Sequence, residues 1–159
     1  MNEPHPDPQT QTDPEETELL SFLVGGHDYS VDIMSVREIR SGTGATSLPH
    51  SPEYVRGVIN LRGTVLPIID LAKRLGMEQA QDDIRNVIIV VAVGEKTFGL
   101  MVDAVSDILA ISEQDMQPPP EMRADVERNF VSALTIVDER MIRVLDLDAV
   151  MPPTSEEAA

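Results

Sequence analysis

The side chains able to do chemistry are few. Histidine occurs only at His5, His27 and His50, and there is no cysteine. Disulfides, thiolate metal sites, iron–sulfur clusters and thiol catalysis are thereby excluded, and a reducing compartment is the default. No histidine cluster with metal-ligand spacing is visible, so no metal or other cofactor is expected. Asp103 and Asp107 lie i, i+4 apart, a spacing that would put two carboxylates on one face of a helical turn for acid/base work or Mg²⁺ binding. The simpler reading is that they are solvated acids in a very acidic chain, and Asp82-Asp83 reads the same way. Gly42-Thr43-Gly44 lacks the third glycine and the Lys-Ser/Thr pair of a phosphate loop. Catalytic residues are therefore expected to be absent.

The elements that would position any site are short. At 159 residues, 42% of them hydrophobic, the chain suits one domain or two small lobes. Prolines at 4, 6, 8 and 14, six acids and no Lys or Arg make the first 18 residues poor in buriable surface, so 1–17 reads as a disordered tail and 152–159 as a second one. Between them, over 18–151, β-branched runs broken by glycine turns predict strands at 19–24, 29–33, 55–61, 64–69, 87–93, 97–102, 131–137 and 141–145. One- or two-turn helices are predicted at 34–39, 51–54, 71–75 and 147–151.

The sequence also matches itself. Residues 25–39 lie over 94–108 at an offset of 69, with Val36 over Val105; residues 58–75 lie over 134–151 at an offset of 76. Two copies of one strand-rich unit, roughly 18–84 and 85–151, imply two small β-barrels in tandem, with strand exchange between them left open. A net charge of -16 disfavours nucleic acid and anionic lipid, and no apolar run is long enough to insert in a membrane. Against that background Arg37, Arg40, Arg56 and Arg62 form a basic island in a chain whose first 36 positions carry no Lys or Arg. Such an island suits an acidic protein partner. Arg62 stands at the tip of Asn60-Leu61-Arg62-Gly63, where its guanidinium projects outward and can fork to a carboxylate. Arg74, in the following short helix, is expected to matter little.

The run Arg56-Gly-Val-Ile-Asn-Leu-Arg-Gly-Thr-Val-Leu-Pro-Ile-Ile-Asp-Leu71 resembles the signature of the CheW family of bacterial chemotaxis coupling proteins. The likeness continues through Val31–Ile39, Phe98–Ile108 and Arg140–Leu147. It implies a mainly β fold of two interlocked SH3-like five-stranded β-barrels with short connecting helices. The implied role is that of a cytoplasmic, non-enzymatic adaptor, monomeric in isolation, holding the cytoplasmic tip of chemoreceptors and the regulatory domain of the histidine kinase CheA in one array. Motif match gives Val36, Glu38, Gly57, Arg62, Val87, Gly99 and Val105 as the binding residues. Arg143 departs from the family pattern, standing where the last strand is usually aliphatic. Two other readings stand beside this one: an SH3-like module of another two-component pathway, and a small carboxylate-dependent hydrolase built on Asp103 and Asp107.

Overall fold

Runs of Val, Ile and Leu fit a pleated, half-buried surface, and glycine or a left-handed residue lets each run reverse. The computed structural model describes residues 16–41, 45–47, 49–77, 86–119 and 130–152. The tail segments 1–15 and 153–159, Gly42-Thr43-Gly44 and Asp82-Asp83 lie outside the described residues. The strands are β1 (Glu16–Val24), β2 (His27–Asp32), β3 (Val36–Ser41), β4 (Val55–Leu61), β5 (Thr64–Asp70), β6 (Val87–Val93), β7 (Lys96–Val102), β8 (Ala104–Ser112), β9 (Val131–Val137) and β10 (Arg140–Leu145). Two four-residue helices, α1 (Leu71–Arg74) and α2 (Leu147–Val150), follow β5 and β10.

The expectations need correction at the edges. Residues 34–39 are not a helix: a single 3-10 turn at Ile33–Ser35 leads straight into β3. Residues 51–54 form a turn, with Val55 N–H donating to the Pro52 carbonyl at 3.0 Å. Glu16 and Thr17 belong to β1, paired with Ser112 and Ile111, and not to a tail. The segment carrying Asp107 is the strand β8, so Asp103 and Asp107 do not share a helical face.

The strands form two five-stranded sheets, β8-β1-β2-β10-β9 (barrel I) and β3-β6-β7-β5-β4 (barrel II). Each rolls up until the chain beyond its first strand reaches its last: Thr46 bridges to Val58 of β4, and Gln117 bridges to Leu134 of β9. The repeat is structural. Ile68 of β5 pairs in parallel with Gly99 of β7, and Val144 of β10 pairs in parallel with Ser30 of β2, the same register shifted by the two sequence offsets. Membership of the sheets does not follow the two halves of the chain. The β1–β2 hairpin of the first copy completes the barrel of the second, and the β6–β7 hairpin of the second completes the barrel of the first. This exchange explains why β6 is apolar without alternation: Ile88 and Val90 fill barrel II, while Ile89 and Val91 face the core shared between barrels. The shared core also takes Leu20, Phe22, Tyr29, Leu71, Leu100, Leu145 and Val150.

Candidate functional site

The site begins with a turn. Leu61 and Thr64 pair across the two-residue loop Arg62-Gly63, and both loop residues have positive φ, +53 and +86. A loop with two left-handed residues matches the right-handed twist of the flanking strands. Glycine takes the second position at no steric cost, and the Gly63 N–H donates to the Asn60 side chain at 2.9 Å. The hairpin therefore holds Arg62 at a fixed point on the rim of barrel II.

Rolling of the sheet brings that rim back to its opposite edge. Arg62 Nη2 donates to Glu38 Oε2 of β3 at 2.7 Å, and Arg40 Nη1 donates to Glu38 Oε1 at 3.0 Å. One carboxylate thus holds two guanidinium groups. The Arg62 bond first, then the Arg40 bond, holds the Glu38 carboxyl below the usual carboxylate range. Arg62 remains 75% exposed, so most of its five donors face solvent. Arg37 lies beside this network, its Nη1 donating to the Met34 carbonyl at 2.9 Å. Arg56 does not join it. Its side chain is largely buried and lies 4.0 Å from the buried Asp70 carboxylate, so the surface island is Arg37, Arg40 and Arg62. In the second copy these three positions are Ser106, Leu109 and Asp138, which confines the basic feature to barrel II.

The other residues named by resemblance occupy three kinds of place. Glu38, Gly99 and Gly57 fall on a single row across barrel II, through the pairs Glu38–Val90, Val90–Gly99, Gly99–Ile68 and Ile68–Gly57. Both glycines are buried. A Cβ on Gly99 would lie 2.6 Å from Ile68 Cδ1 and 2.8 Å from Ile88 Cγ2; one on Gly57 would overlap the Thr46 carbonyl that closes the barrel. They shape the backbone under the rim and offer no side chain to a partner. Val36 and Val105 sit at equivalent bulged positions, opposite Val91 and Phe22, half-buried against the shared core on different barrels. Val87 opens β6 beside Ser41 and packs on the same core. The structure thus joins Glu38 to Arg62 directly, and leaves Val105 on the other barrel.

Of the two acids considered for catalysis, Asp103 uses its carboxylate structurally and Asp107 takes part through its backbone. Asp103 Oδ2 accepts the Gly25 N–H at 2.9 Å, tying the β1–β2 turn to the end of β7. The Asp107 backbone exchanges hydrogen bonds with the Ser21 hydroxyl. Arg74, expected to matter little for binding, has a place in the fold that the sequence reading did not include: its guanidinium carbon lies 4.0 Å from the centre of the Tyr54 ring and 4.9 Å from that of Phe130. The signal that would have found it is the offset of 76, which superposes Tyr54 on Phe130.

Comparison with known proteins agrees with this geometry. Residues 18–153 match the family model described as a CheW-like domain. The chain is 54% identical over 142 residues to a probable chemotaxis protein CheW of Rhizobium etli, covering 89% of this chain and 92% of the relative. It is 51% identical, with the same coverage, to chemotaxis protein CheW of Rhizobium meliloti. The scaffolding protein TtCheW from Thermoanaerobacter tengcongensis superposes with a TM-score of 0.80 at 31% identity, over 89% of this chain and 96% of that one. On the strength of the fold, the signature hairpin and these relatives, the chain belongs to the CheW-like family, the non-enzymatic coupling adaptors of chemotaxis.

Proposed function

We propose that this adaptor joins the cytoplasmic tip of a chemoreceptor to the regulatory domain of the histidine kinase CheA, working in the cytoplasm, and that the receptor side is the rim of barrel II where Arg62 meets Glu38. The observation that carries this reading is an exposed guanidinium fixed by a left-handed turn and by a 2.7 Å bond to Glu38. Held this way, Arg62 can present its remaining donors to a partner carboxylate without losing much side-chain freedom on docking. The half-buried Val36, Val87 and Val105 supply aliphatic margins on the two barrels. Gly57 and Gly99 act through the backbone beneath the rim.

The test is calorimetric titration with a receptor cytoplasmic fragment and with the kinase regulatory domain. An exposed ion pair contributes about 0–1 kcal/mol to folding, so Arg62→Ala should fold normally. A charged hydrogen bond desolvated on docking costs about 2–5 kcal/mol when truncated, and ~1.4 kcal/mol is already tenfold. Receptor affinity should therefore fall at least tenfold in Arg62→Ala and be partly restored in Arg62→Lys. Lys96→Ala, an exposed cation at the start of β7, is the control and should bind as the parent does. Equal receptor affinities for the parent and Arg62→Ala would refute the assignment.

A further inference from the structure

We propose that Arg74 is the residue that fixes the angle between the two barrels, and that this fixed angle lets a partner docked on one barrel be felt on the other; the second half rests on the adaptor reading above. Tyr54 immediately precedes β4 of barrel II, and Phe130 immediately precedes β9 of barrel I. They are equivalent residues of the repeat, and their carbonyls play the same part, accepting the amides of Asp70 and Asp146 at 2.7 and 2.8 Å. The Arg74 guanidinium contacts both rings, so one planar cation is held by an aromatic face from each barrel. Its Nη2 also donates to the Ala149 carbonyl of α2, at 3.2 Å. At the equivalent place in the second copy stands Val150, fully buried, so the pseudo-two-fold carries one cation and not a pair.

The chemistry of the remaining contact makes this position decisive. Between the barrels the shared core is supplied by aliphatic side chains such as Leu71, Leu75 and Val150, with Leu147 and Met151 packed on it. Such contacts hold two surfaces together but are non-directional. A guanidinium is planar and its donors point in fixed directions, so stacking on two rings while bonding one carbonyl admits a narrow range of inter-barrel angles. Among the described residues, Arg74 Nε is enclosed without a hydrogen-bond acceptor. Enclosure of that kind is unfavourable by itself and is sustained by the rings and the Ala149 carbonyl. The seven residues of β5 separate this clamp from Arg62, about 23 Å of extended strand, so the clamp is distinct from the candidate receptor face.

Because the sequence has no cysteine, Glu95→Cys in barrel II and Glu113→Cys beyond β8 of barrel I allow spin labels to report the angle by dipolar spectroscopy. The labelled parent should give one narrow distance distribution. Arg74→Met, similar in length but without charge, plane or donors, should broaden or shift it by several ångströms, and Arg74→Lys should restore little because lysine has the charge but not the plane. Phe130→Leu, which leaves the arginine and removes one ring, should broaden it too, and serves if Arg74→Met fails to fold. Distributions in Arg74→Met and Phe130→Leu that coincide with the parent's would overturn the clamp. In reconstituted complexes, Arg74→Met should bind the receptor fragment and the kinase domain each within twofold of the parent, while receptor-dependent control of kinase activity falls at least fivefold. Unchanged control would overturn the coupling half. A parent that binds neither partner would overturn the adaptor reading, and the label distances would still decide the clamp.

Discussion

Gly57→Ala separates binding by contact from binding through the fold. Gly57 has φ +153, a backbone region L-residues rarely adopt, and a Cβ there would overlap the Thr46 carbonyl oxygen and lie 2.6 Å from its carbonyl carbon. Both obstacles are backbone, so no side chain can rotate away. Either residue 57 is forced into an unfavourable conformation, at about 1–3 kcal/mol, or the Thr46 segment is pushed off β4. The second route loses both bonds of the closure, Thr46 N–H to Val58 O at 2.9 Å and Val58 N–H to Thr46 O at 2.8 Å. At a net ~1 kcal/mol per hydrogen bond the second route costs about 2 kcal/mol, so by either route the loss comes to about 1–3 kcal/mol, a sizeable share of the 5–15 kcal/mol typical of a domain. Urea denaturation followed by circular dichroism measures the difference. Hydrogen exchange at the Thr46 and Val58 amides should rise together. Because the β4–β5 hairpin carries Arg62, receptor affinity should fall with the loss of closure, although Gly57 touches no partner. A Gly57→Ala protein within ~0.5 kcal/mol of the parent, with both amides still protected, would refute the reasoning.

Two further outcomes follow from local geometry. Glu38 has a lowered carboxyl pKa, so its pairing contributes stability that is present above the ordinary glutamate value of about 4.3 and is lost as pH falls through the lower folded value; the Tm gap between the parent and Glu38→Gln should therefore be open at pH 7 and close in acid, and a gap that widens on acidification would contradict the pairing. Asp138 and Glu139 form the β9–β10 hairpin loop of barrel I with φ of +50 and +67 and no glycine, so Glu139→Gly should stabilise by roughly 0.5–1 kcal/mol in denaturant titration, and a loss of stability would count against left-handed strain there.

Eight of the ten strands among the described residues were legible because Val, Ile and Leu cluster in them between glycine-containing or left-handed turns. The two that were not, β3 and β8, are the same strand in the two copies. Both lie at the edge of a sheet. Val36–Ser41 reads Val-Arg-Glu-Ile-Arg-Ser and leaves even Ile39 48% exposed, and Ile108 in β8 is 59% exposed. With neither face fully buried there is no alternation of period two for the sequence to display. Arg62 was readable as an outward-pointing residue at a hairpin tip. Its partner Glu38, 24 residues earlier, came from resemblance, since their meeting depends on how far the sheet rolls up. The place of Arg74 was not legible for a related reason: a cation after a short apolar helix is ordinarily solvated, and only the meeting of two aromatic rings from distant segments makes a place for it.

The exchanged hairpins impose an order on biosynthesis. Residues 36–102 contain all of barrel II, so that half can close once β7 has left the ribosome. Barrel I is split across the chain: its first hairpin is made before anything else, and its parallel neighbour, β10, is made last. Ser30 waits for Arg143, 113 residues later, whose backbone carbonyl accepts the hydrogen bond that the Ser30 hydroxyl donates. At rates near 5–20 residues per second that interval is about 6–23 seconds, during which Leu20, Phe22, Val24 and Val31 wait for Val131, Leu134, Leu145 and Val150 of the same core. The nascent hairpin is the segment most in need of chaperone protection, and a stalled or truncated message would release a finished barrel II trailing an orphaned, sticky ribbon.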